Sequence, residues 1–581
     1  MRQAGWIVAA FLVVAGLRIG APSDMHEGDQ SKQADYVLDI VCNNNWLVQH
    51  HADGSVMSKP PLYNWLAAPL VLLFGPEEIF LKMPSLLAGL AVVLMAWDMA
   101  RRRMSECAAT WGAVFLILTP MFAKQIYYAR TDMLLTCFIV MQFWAILRWE
   151  DARNPSPVTP LPQGAKGTLW LCVFWGAAAL GCLTKGPVAL IPHLTLAAWW
   201  VSEKRFTENY KSIGLWWGFP LALLPLLIWF VIARRVDGAG LFERMVNAEL
   251  AGRFITSAER RPFYYYIPHV FARTLPWSMF GLIGLWGALC ARRNEALADR
   301  ERGMLRFLAT WFFAALIFFS AIPSKRADRI FPAVPALCLL GGWAFDRYIT
   351  AARGRRVVDI CIAAIAVAFV LIGAALTAVA FGANVAEIKM LRGAVSTATP
   401  ENIVSHRTFV VFGGTIMVCD AILSMIVLSR KRAAIAVGAL VASNFGFIAM
   451  YQLVLGNWIQ TDYCQGALPV CREVRKRARD ENAQIMLLAG SGPAARFYLL
   501  QPGLELAPEV VVKRLAAAHP AAYVVGTLPY VESDPRRAVD VRKPGALQEA
   551  GVSQSDVSQA IGKMPLSSVK WLAAVRVPKR E

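Results

Sequence analysis

The chain has 581 residues, of which 57% are hydrophobic, and its formal net charge is +19. A soluble protein of this length cannot bury so much apolar side-chain surface in one core, and many apolar runs approach the roughly 20 residues that cross a bilayer. The composition therefore predicts an α-helical membrane protein with many spans. The basic residues recur in short loops between apolar runs, which argues against a nucleic-acid partner and for membrane lipids as the surroundings.

Basic residues also indicate which side of the membrane each loop occupies. They recur in every second connection, as in Arg101 to Arg103 and Arg430 to Arg432, and the positive-inside rule places such loops in the cytoplasm. The apolar runs predict about 13 transmembrane helices, an odd number that puts the C-terminus outside. The membrane domain is predicted over residues 1–458, with its first external loop at residues 21–83.

The first external loop combines a carboxylate with cations next to the membrane. Asp29 is followed by Lys32, and Lys59 precedes a Pro-Pro pair. Apolar residues at positions 34, 37, 38 and 41 have helical spacing, which predicts a short amphipathic helix that begins near Asp29. A carboxylate can orient or deprotonate an acceptor while lysines hold a phosphate. Ordinary solvated loop charges are the alternative interpretation.

Further charged residues occur at the predicted outer ends of later spans. Arg130 and Asp132 open one span, and Lys185 lies in the turn of a helical hairpin. Each alone is as consistent with snorkelling to the interface as with function. A third group places three cations within five residues on the outer side, against the charge rule, and an anionic phosphate would explain it. Its members are Lys325, Arg326 and Arg329.

Residues 459–581 contain no run long enough to span a membrane. They alternate helix-like and strand-like segments, which predicts a small external α/β domain. The Gly490-Ser491-Gly492 sequence is too short to indicate a nucleotide-binding loop. Cys464 and Cys471 lie on the external side, where a disulfide is permitted, and two unpaired thiols on a helix face suit their spacing equally well.

Motifs for tightly bound metals and nucleotides are missing from the sequence. The chain has seven histidines, which are scattered. Three of them, His26, His50 and His51, share the opening loop with carboxylates and are candidate ligands for a weakly bound divalent cation. Ordinary exposed loop histidines are the alternative, and no cofactor is otherwise predicted.

Several short motifs resemble those of the GT-C membrane glycosyltransferases, especially the group of lipid A aminoarabinose transferases and protein O-mannosyltransferases. The similarity extends over about residues 1–350. In chain order the motifs are DQSK from residue 29, KPPLYNWL from residue 59, ARTDMLLT from residue 129, TKGP from residue 184, PW at residue 276 and SKRADR from residue 324.

The resemblance implies roles for the residues that match. In that family the first-loop aspartate lies at the active site, a later aspartate supports it, and cations contact the phosphate of a polyprenyl-phosphate sugar. The catalytic candidates are therefore Asp29 and Asp132. The donor-phosphate candidates are Lys32, Lys59, Arg130, Lys185, Lys325, Arg326 and Arg329. This chain departs from the family at Gln30, where an acid is usual, and at Ser58, where some members carry a metal-binding glutamate. No metal ligand is assigned.

The resemblance implies an inner-membrane glycosyltransferase of a bacterium, with the site and the C-terminal domain facing the periplasm. Such an enzyme moves a sugar from a polyprenyl-phosphate donor to lipid A or another envelope glycan or lipid, with inversion. A protein O-mannosyltransferase, which uses a protein acceptor, is the nearest alternative. A flippase or transporter of lipid-linked sugars is a more distant one, but it should place ionisable groups near the bilayer midplane. The sequence leaves the sugar and the acceptor open.

Overall fold

The structure is a computed structural model of the chain. The residues that it describes are 2–20, 25, 28–51, 54–153, 163–237, 261–291, 297–350, 355–381, 407–430, 432–450, 467–489, 491, 493–501, 506–517, 521–529, 562–567 and 570–578.

Helices form most of the described residues up to position 450, as expected where backbone groups must be satisfied without water. The helices up to residue 237 are α1 (Arg2–Ile19), α2 (Gly28–Asn43), α3 (Leu62–Phe74), α4 (Glu78–Arg101), α5 (Glu106–Leu118), α6 (Pro120–Gln125), α7 (Thr131–Arg153), α8 (Gln163–Lys185), α9 (Ile191–Ser202), α10 (Phe206–Ser212) and α11 (Leu215–Asp237). Those that follow are α12 (Tyr266–Arg273), α13 (Ser278–Cys290), α14 (Asp299–Ala321), α15 (Val334–Thr350), α16 (Arg355–Ala380), α17 (Arg407–Ser429) and α18 (Ala433–Met450).

Eight helical segments of the described chain are long and apolar enough to cross a membrane. They are Arg2–Ile19, Glu78–Arg101, Thr131–Arg153, Gly167–Ser202, Leu215–Val236, Asp299–Ala321, Arg356–Ala375 and Val411–Ser429. Shorter apolar helices, among them Leu62–Phe74 and Glu106–Leu118, accompany these segments. The fold is thus that of a polytopic helical membrane protein, whereas the count of about 13 spans stays a prediction.

Glycines allow the central helices to approach closely. A Cβ atom added to Gly342 of α15 would lie 2.3 Å from the backbone nitrogen of Gly112 of α5. A Cβ added to Gly284 of α13 would lie 2.1 Å from the carbonyl oxygen of Leu340. In lipid no hydrophobic driving force holds helices together. Close backbone contact at small residues stabilises such crossings instead. The bundle of α5, α13 and α15 therefore forms a rigid base for the loops at the helix ends.

The C-terminal part contains a four-stranded sheet with strand order β1-β2-β4-β3. Strands β1 and β2 are parallel, whereas β4 is antiparallel to both β2 and β3. The strands are β1 (Gln484–Leu487), β2 (Ala521–Pro529), β3 (Gly562–Ser567) and β4 (Lys570–Pro578), and the helices around them are α19 (Ala467–Asp480), α20 (Pro493–Leu499) and α21 (Pro508–Ala517). Of the two cysteines that the sequence predicts to be external, Cys471 is buried on α19 and forms no disulfide with a described residue, and Cys464 lies outside the described residues.

Helices α19 and α20 contact the ends of the membrane helices. The guanidinium of Arg472 on α19 pairs with Glu77, with Nε 3.1 Å from Oε1, and the Tyr498 hydroxyl on α20 donates to Glu78 at the start of α4. The Cys42 thiol at the end of α2 contacts the carbonyl oxygen of Leu500. The sheet-containing part is thereby placed against the same loop that carries Asp29.

Candidate functional site

Eight charged side chains from five parts of the chain meet at one end of the helix bundle. We call this set the ion cluster. Its members are Asp29, Asp132, Asp328, Lys59, Lys185, Arg130, Arg273 and Arg326.

Asp29 lies in the first turn of α2, where unpaired backbone N–H groups favour a negative charge. Its Oδ2 lies 2.8 Å from the guanidinium of Arg130 and 2.6 Å from that of Arg326. Burial alone would raise the pKa of this carboxyl group. The positive charges of Arg130, Lys59 and Arg326 outweigh burial and lower the pKa of Asp29 to about 2. Asp29 is therefore a permanent anion and a very weak base at neutral pH.

Arg130 is the hub of the ion cluster. It is buried just before α7 and contacts three carboxylates. Besides Asp29, it reaches Asp132 with Nε at 3.3 Å and Asp328 with Nη1 at 3.1 Å. Its guanidinium also lies over the ring of Tyr128. A planar guanidinium can serve several acceptors at fixed angles, which a lysine ammonium cannot do.

Lys185 joins the hairpin of α8 and α9 to α7. Its Nζ lies 2.5 Å from Oδ1 of Asp132, a side chain that is almost fully buried in the first turn of α7. Gly186, which follows, has a φ of +71°, a conformation that glycine adopts without strain. The Thr-Lys-Gly-Pro motif thus turns the chain sharply and points its lysine at Asp132.

Asp328 and Arg273 complete the ion cluster, and neither was singled out from the sequence. Arg273, at the end of α12, places Nη1 2.5 Å from Oδ1 of Asp328, whose other oxygen accepts from Arg130. The available signal was that Asp328 lies inside the SKRADR segment and that Arg273 precedes the Pro-Trp pair by three residues. Nothing in the spacing of these segments indicates that they face each other.

Lys59 lies half-buried in the loop before α3, within electrostatic range of both Asp29 and Asp132. Burial lowers the pKa of its ammonium group, and the neighbouring positive charge of Lys185 lowers it further. The two carboxylates only partly offset this, so that the pKa of Lys59 falls to about 7. A further negative charge nearby would stabilise the protonated form of Lys59.

Side-chain amides hold the helices of the first loop in register. Gln33 on α2 donates to Asn64 on α3, and Asn64 donates to Gln49 over 3.0 Å. Gln30, beside Asp29, accepts a hydrogen bond of 3.0 Å from the backbone N–H of Ala129. The glutamine at position 30 therefore connects α2 to the residue just before Arg130, a bond that an ionised acid could also accept.

Comparisons with known proteins find similar sequences and a similar fold. A family model described as dolichyl-phosphate-mannose-protein mannosyltransferase matches residues 58–229. The undecaprenyl phosphate-alpha-4-amino-4-deoxy-L-arabinose arabinosyl transferase of Erwinia tasmaniensis is 25% identical over 320 residues, which is 54% of this chain and 54% of that protein. The protein of the same name from Pseudomonas aeruginosa is 25% identical over 386 residues, 63% of this chain and 65% of that protein.

A crystal structure of ArnT from Cupriavidus metallidurans bound to undecaprenyl phosphate covers 98% of both chains, with a TM-score of 0.69 and 18% identity. This chain has the GT-C fold. The sequence-based prediction of this fold is therefore confirmed. In sequence, this chain spans only about half of the length of the curated relatives that it matches: 54% of one and 60% of another.

Three of the predicted phosphate ligands of this GT-C protein lie outside the ion cluster. Lys32 is exposed on α2, and the described part of the chain offers it no ion pair. Lys325 donates from Nζ to the carbonyl oxygen of Ile322 over 2.7 Å, and Arg329 donates to the carbonyl oxygen of Ser324. In this structure Lys325 and Arg329 stabilise the loop that presents Arg326.

The histidines of the first loop have partners in the same region. His50 Nδ1 lies 3.2 Å from Asp39, and His51 Nε2 lies 3.3 Å from Asp35. His26 lies outside the described residues. Across the described ranges, no group of three or more His, Cys, Asp and Glu side chains is placed to hold a metal ion. A divalent cation in this GT-C protein stays a prediction.

Proposed function

We propose that this protein is an integral membrane glycosyltransferase that moves a sugar from a polyprenyl-phosphate donor to a phosphate-bearing lipid acceptor. The observation that carries the proposal is the charge balance of the ion cluster. Five cationic groups face three carboxylates there, leaving a surplus of two positive charges when all are ionised. Such a surplus suits the phosphate that leaves the sugar, because a phosphate monoester approaches two negative charges near neutral pH.

The cations act where negative charge develops. As the bond between the anomeric carbon and the phosphate oxygen breaks, the electron pair stays on that oxygen. Lys59 is the group best suited to stabilise this charge. Burial and Lys185 destabilise its protonated form more than the nearby carboxylates stabilise it. Arg130 and Lys185 are fixed by aspartates beforehand, so little reorganisation is needed during the reaction. Attack from the opposite face of the sugar would invert the anomeric configuration in one step.

The low pKa of Asp29 bears on whether the acceptor is a hydroxyl group or a phosphate. A hydroxyl acceptor needs a base whose pKa is near the working pH, and an Asp29 with a pKa of about 2 is poorly suited to that role. A phosphate acceptor is already an anion and loses no proton. Asp29 then orients Arg130 and Arg326, and the acceptor is a phosphate of lipid A or of another envelope lipid. The names of the relatives, which are aminoarabinose transferases, favour 4-amino-4-deoxyarabinose as the sugar.

A protein O-mannosyltransferase is the second candidate, and the description of the matching family model favours it. That reaction transfers mannose to a hydroxyl of serine or threonine and requires a proton acceptor. The position of the ion cluster argues against a flippase, because its carboxylates lie at helix ends, with Asp29 and Asp132 both in first turns. A transporter places such groups near the midplane.

The proposed setting is the bacterial inner membrane, with the ion cluster facing the periplasm. The alternating basic loops support this orientation. About 13 spans over residues 1–458 and a periplasmic α/β domain over residues 459–581 complete the proposal. Single cysteines introduced beside Lys59 and Lys185 in a cysteine-depleted variant should react with an impermeant thiol reagent in intact spheroplasts. Reaction only after lysis would reverse the orientation.

The activity can be tested with the full-length protein in nanodiscs. Either undecaprenyl-phosphate aminoarabinose or a polyprenyl-phosphate mannose is supplied with lipid A, with a serine-rich protein, or with neither, and the products are analysed by mass spectrometry. The proposal expects the mass of one sugar on lipid A, and far less product from Lys59→Ala than from a matched change at an exposed lysine, Lys211→Ala. Sugar on the protein would support the second candidate. Movement of the donor between leaflets without a new glycosidic bond would support a flippase.

A further inference from the structure

Three arginines share one carboxylate at the end of the helix bundle opposite the ion cluster. Asp98, near the end of α4, has Oδ1 2.7 Å from Nη2 of Arg101 and Oδ2 3.0 Å from Nε of Arg102. Arg148 of α7 places Nη1 3.5 Å from the same Oδ2. Arg148 follows Asp132 by 16 residues on α7, or about 24 Å along the helix axis. We call Asp98 and the three arginines the arginine cluster.

The arginine cluster has a surplus of two positive charges, because three guanidiniums surround one carboxylate. The neighbouring charges do not cancel this surplus, since they balance one another. Arg103 pairs with Glu150 over 3.3 Å and with Asp151 over 3.0 Å. Glu150 also lies 3.9 Å from Arg205. Two arginines face two acids there, and the surplus of the arginine cluster remains.

Part of the hydrogen-bonding capacity of the three arginines is unused. Asp98 also accepts from Nε1 of Trp144 over 2.9 Å, so its two oxygens are already shared among four side chains. Among the described residues, the buried Nη1 of Arg148 has no hydrogen-bond partner, and Arg102 donates through Nε alone. Arg101 and Arg102 lie within electrostatic range of Arg148. A bound anion would supply acceptors and relieve the repulsion between these cations.

The arginine cluster lies where two candidate spans end. Arg101 is the last residue of the span Glu78–Arg101, and Arg148 lies five residues before the end of the span Thr131–Arg153. The polar headgroups of a bilayer begin where such apolar segments end. The anions that meet the arginine cluster most often are therefore the phosphates of lipid headgroups.

Tryptophan rings fix the guanidiniums at this level. Arg148 lies 4.8 Å from the ring centre of Trp170 and 5.9 Å from that of Trp144, and Arg101 lies 4.6 Å from the ring centre of Trp97. Tryptophan is enriched at the boundary between membrane and water, and its ring holds a guanidinium without neutralising it. Arginines that serve only to orient a membrane protein need no such fixed geometry.

We propose that the arginine cluster binds the headgroup of an anionic phospholipid with two phosphodiester groups, in the leaflet opposite the ion cluster. Each ionised phosphodiester brings one negative charge, so that two of them match the surplus. A lipid with one phosphodiester leaves one positive charge unmatched. Guanidiniums bind phosphate oxygens through parallel hydrogen bonds, and basic sites between transmembrane helices bind headgroups of this kind. The lipid would hold together the ends of α4 and α7, and it is neither the donor nor the acceptor of the sugar.

The test follows the unfolding midpoint of the full-length protein in a neutral detergent as lipid is added. A ligand that binds only the folded protein raises this midpoint in a concentration-dependent manner. Cardiolipin, which has two phosphodiesters, should act at a roughly fivefold lower concentration of phosphate than phosphatidylglycerol, the scale of one further charge near a lipid surface. Phosphatidylcholine and inorganic phosphate should have no saturable effect. Equal effects of cardiolipin and phosphatidylglycerol, or an effect of inorganic phosphate as large as that of cardiolipin, would overturn the inference.

The variant that tests the residues is Arg101→Gln combined with Arg102→Gln, which removes the surplus. Its Kd for cardiolipin should rise roughly 30-fold, the scale of two cations near a lipid surface. Arg101→Lys combined with Arg102→Lys keeps both charges and should retain more of the affinity. The matched control is Arg153→Gln combined with Arg302→Gln, which removes two arginines that each already pair with an acid.

An unchanged Kd in the glutamine variant, or an equal rise in the control, would contradict the proposal. The comparison of lipids uses the parent protein, so it decides the question even where the glutamine variant fails to fold. None of these measurements depends on sugar transfer, so the lipid site and the proposed function stand or fall separately.

Discussion

Arg496 of α20 and Asp35 of α2 form an ion pair, with Nε 3.3 Å from Oδ1. Both side chains are largely buried. His51, in the loop between α2 and α3, contacts the same carboxylate, with Nε2 3.3 Å from Oδ2. Asp35 lies six residues after Asp29 on the same helix, or about 9 Å along its axis. Helix α20 is therefore attached directly to the helix that carries Asp29 of the ion cluster.

This ion pair predicts a rescue by charge exchange. Arg496→Glu should lower both the thermal stability and the turnover, because it leaves two carboxylates facing each other in a mostly buried place, at a cost of about 3 kcal/mol. Asp35→Arg should do the same. The double variant Arg496→Glu with Asp35→Arg should recover most of both losses. The measurements are the unfolding midpoint in detergent and the rate of sugar transfer.

A suitable control for the charge exchange is Arg477→Glu, at an exposed arginine that forms an ion pair with Glu473 of its own helix. Its effect on turnover should be small. Recovery of stability without recovery of turnover in the double variant would mean that the pair holds the domain in place but does not position α2.

The lowered pKa of Lys59 predicts a pH dependence of donor use. Below pH 7 the free protein carries a charged Lys59, and above pH 7 it loses that proton, since the pKa is about 7. The value of kcat/KM for the donor should therefore fall as the pH rises through this range. Lys59→Arg should move the fall to much higher pH, because a guanidinium stays protonated. An unchanged profile in Lys59→Arg would assign the fall to another group.

Asp29→Asn tests whether this carboxylate acts as a base. We expect a loss of about 10²-fold in kcat, the scale for a lost group in a preorganised electrostatic site. We expect no limb to be lost on the acid side of the pH–rate profile, because Asp29 titrates near 2 and is ionised throughout. The alkaline fall should move to lower pH, because the charge of Asp29 helps Lys59 to keep its proton. If the parent instead shows an acid limb above about pH 4 that the variant lacks, Asp29 is a general base and a hydroxyl acceptor becomes the better proposal.

Asp328 and Arg273 should behave as one unit in a double-mutant cycle. Asp328→Asn and Arg273→Gln should each reduce kcat/KM for the donor about tenfold, because each releases its partner and loosens Arg130. Residues in one ion-pair network are expected to be non-additive, so the double variant should lose little more than either single one. Additive losses, near a hundredfold, would show that the two side chains act separately.

The sequence predicted the membrane class and the parts of the site that lie in short motifs. Asp29, Arg130, Asp132 and Lys185 each belong to a motif in which a charge sits at the end of an apolar run, and such charges are costly unless paired or functional. The ion pairs that join these residues supply the pairing. Position relative to the spans was sufficient information for this group.

Other members of the site depend on contacts between distant segments. Arg273 and Asp328 are 55 residues apart, and only the crossing of α12 with the loop before α15 brings them together. Lys32 illustrates the opposite case, since it shares a motif with Asp29 but points to solvent one turn further along α2. A spacing of three residues puts two side chains on the same side of a helix, but it does not bring both of them into the ion cluster.

The bond between Lys185 and Asp132 joins the last residue of α8 to the first turn of the neighbouring α7. Helix α7 has 23 residues and is therefore roughly 34 Å long, somewhat more than the roughly 30 Å of bilayer hydrocarbon. A thinner or thicker membrane changes the tilt of such helices, and a shift of a single residue along the axis moves a side chain by about 1.5 Å. The thickness of the bilayer thus affects the relative position of Lys185 and Asp132. The rate of sugar transfer should therefore differ between membranes of short-chain and long-chain lipids.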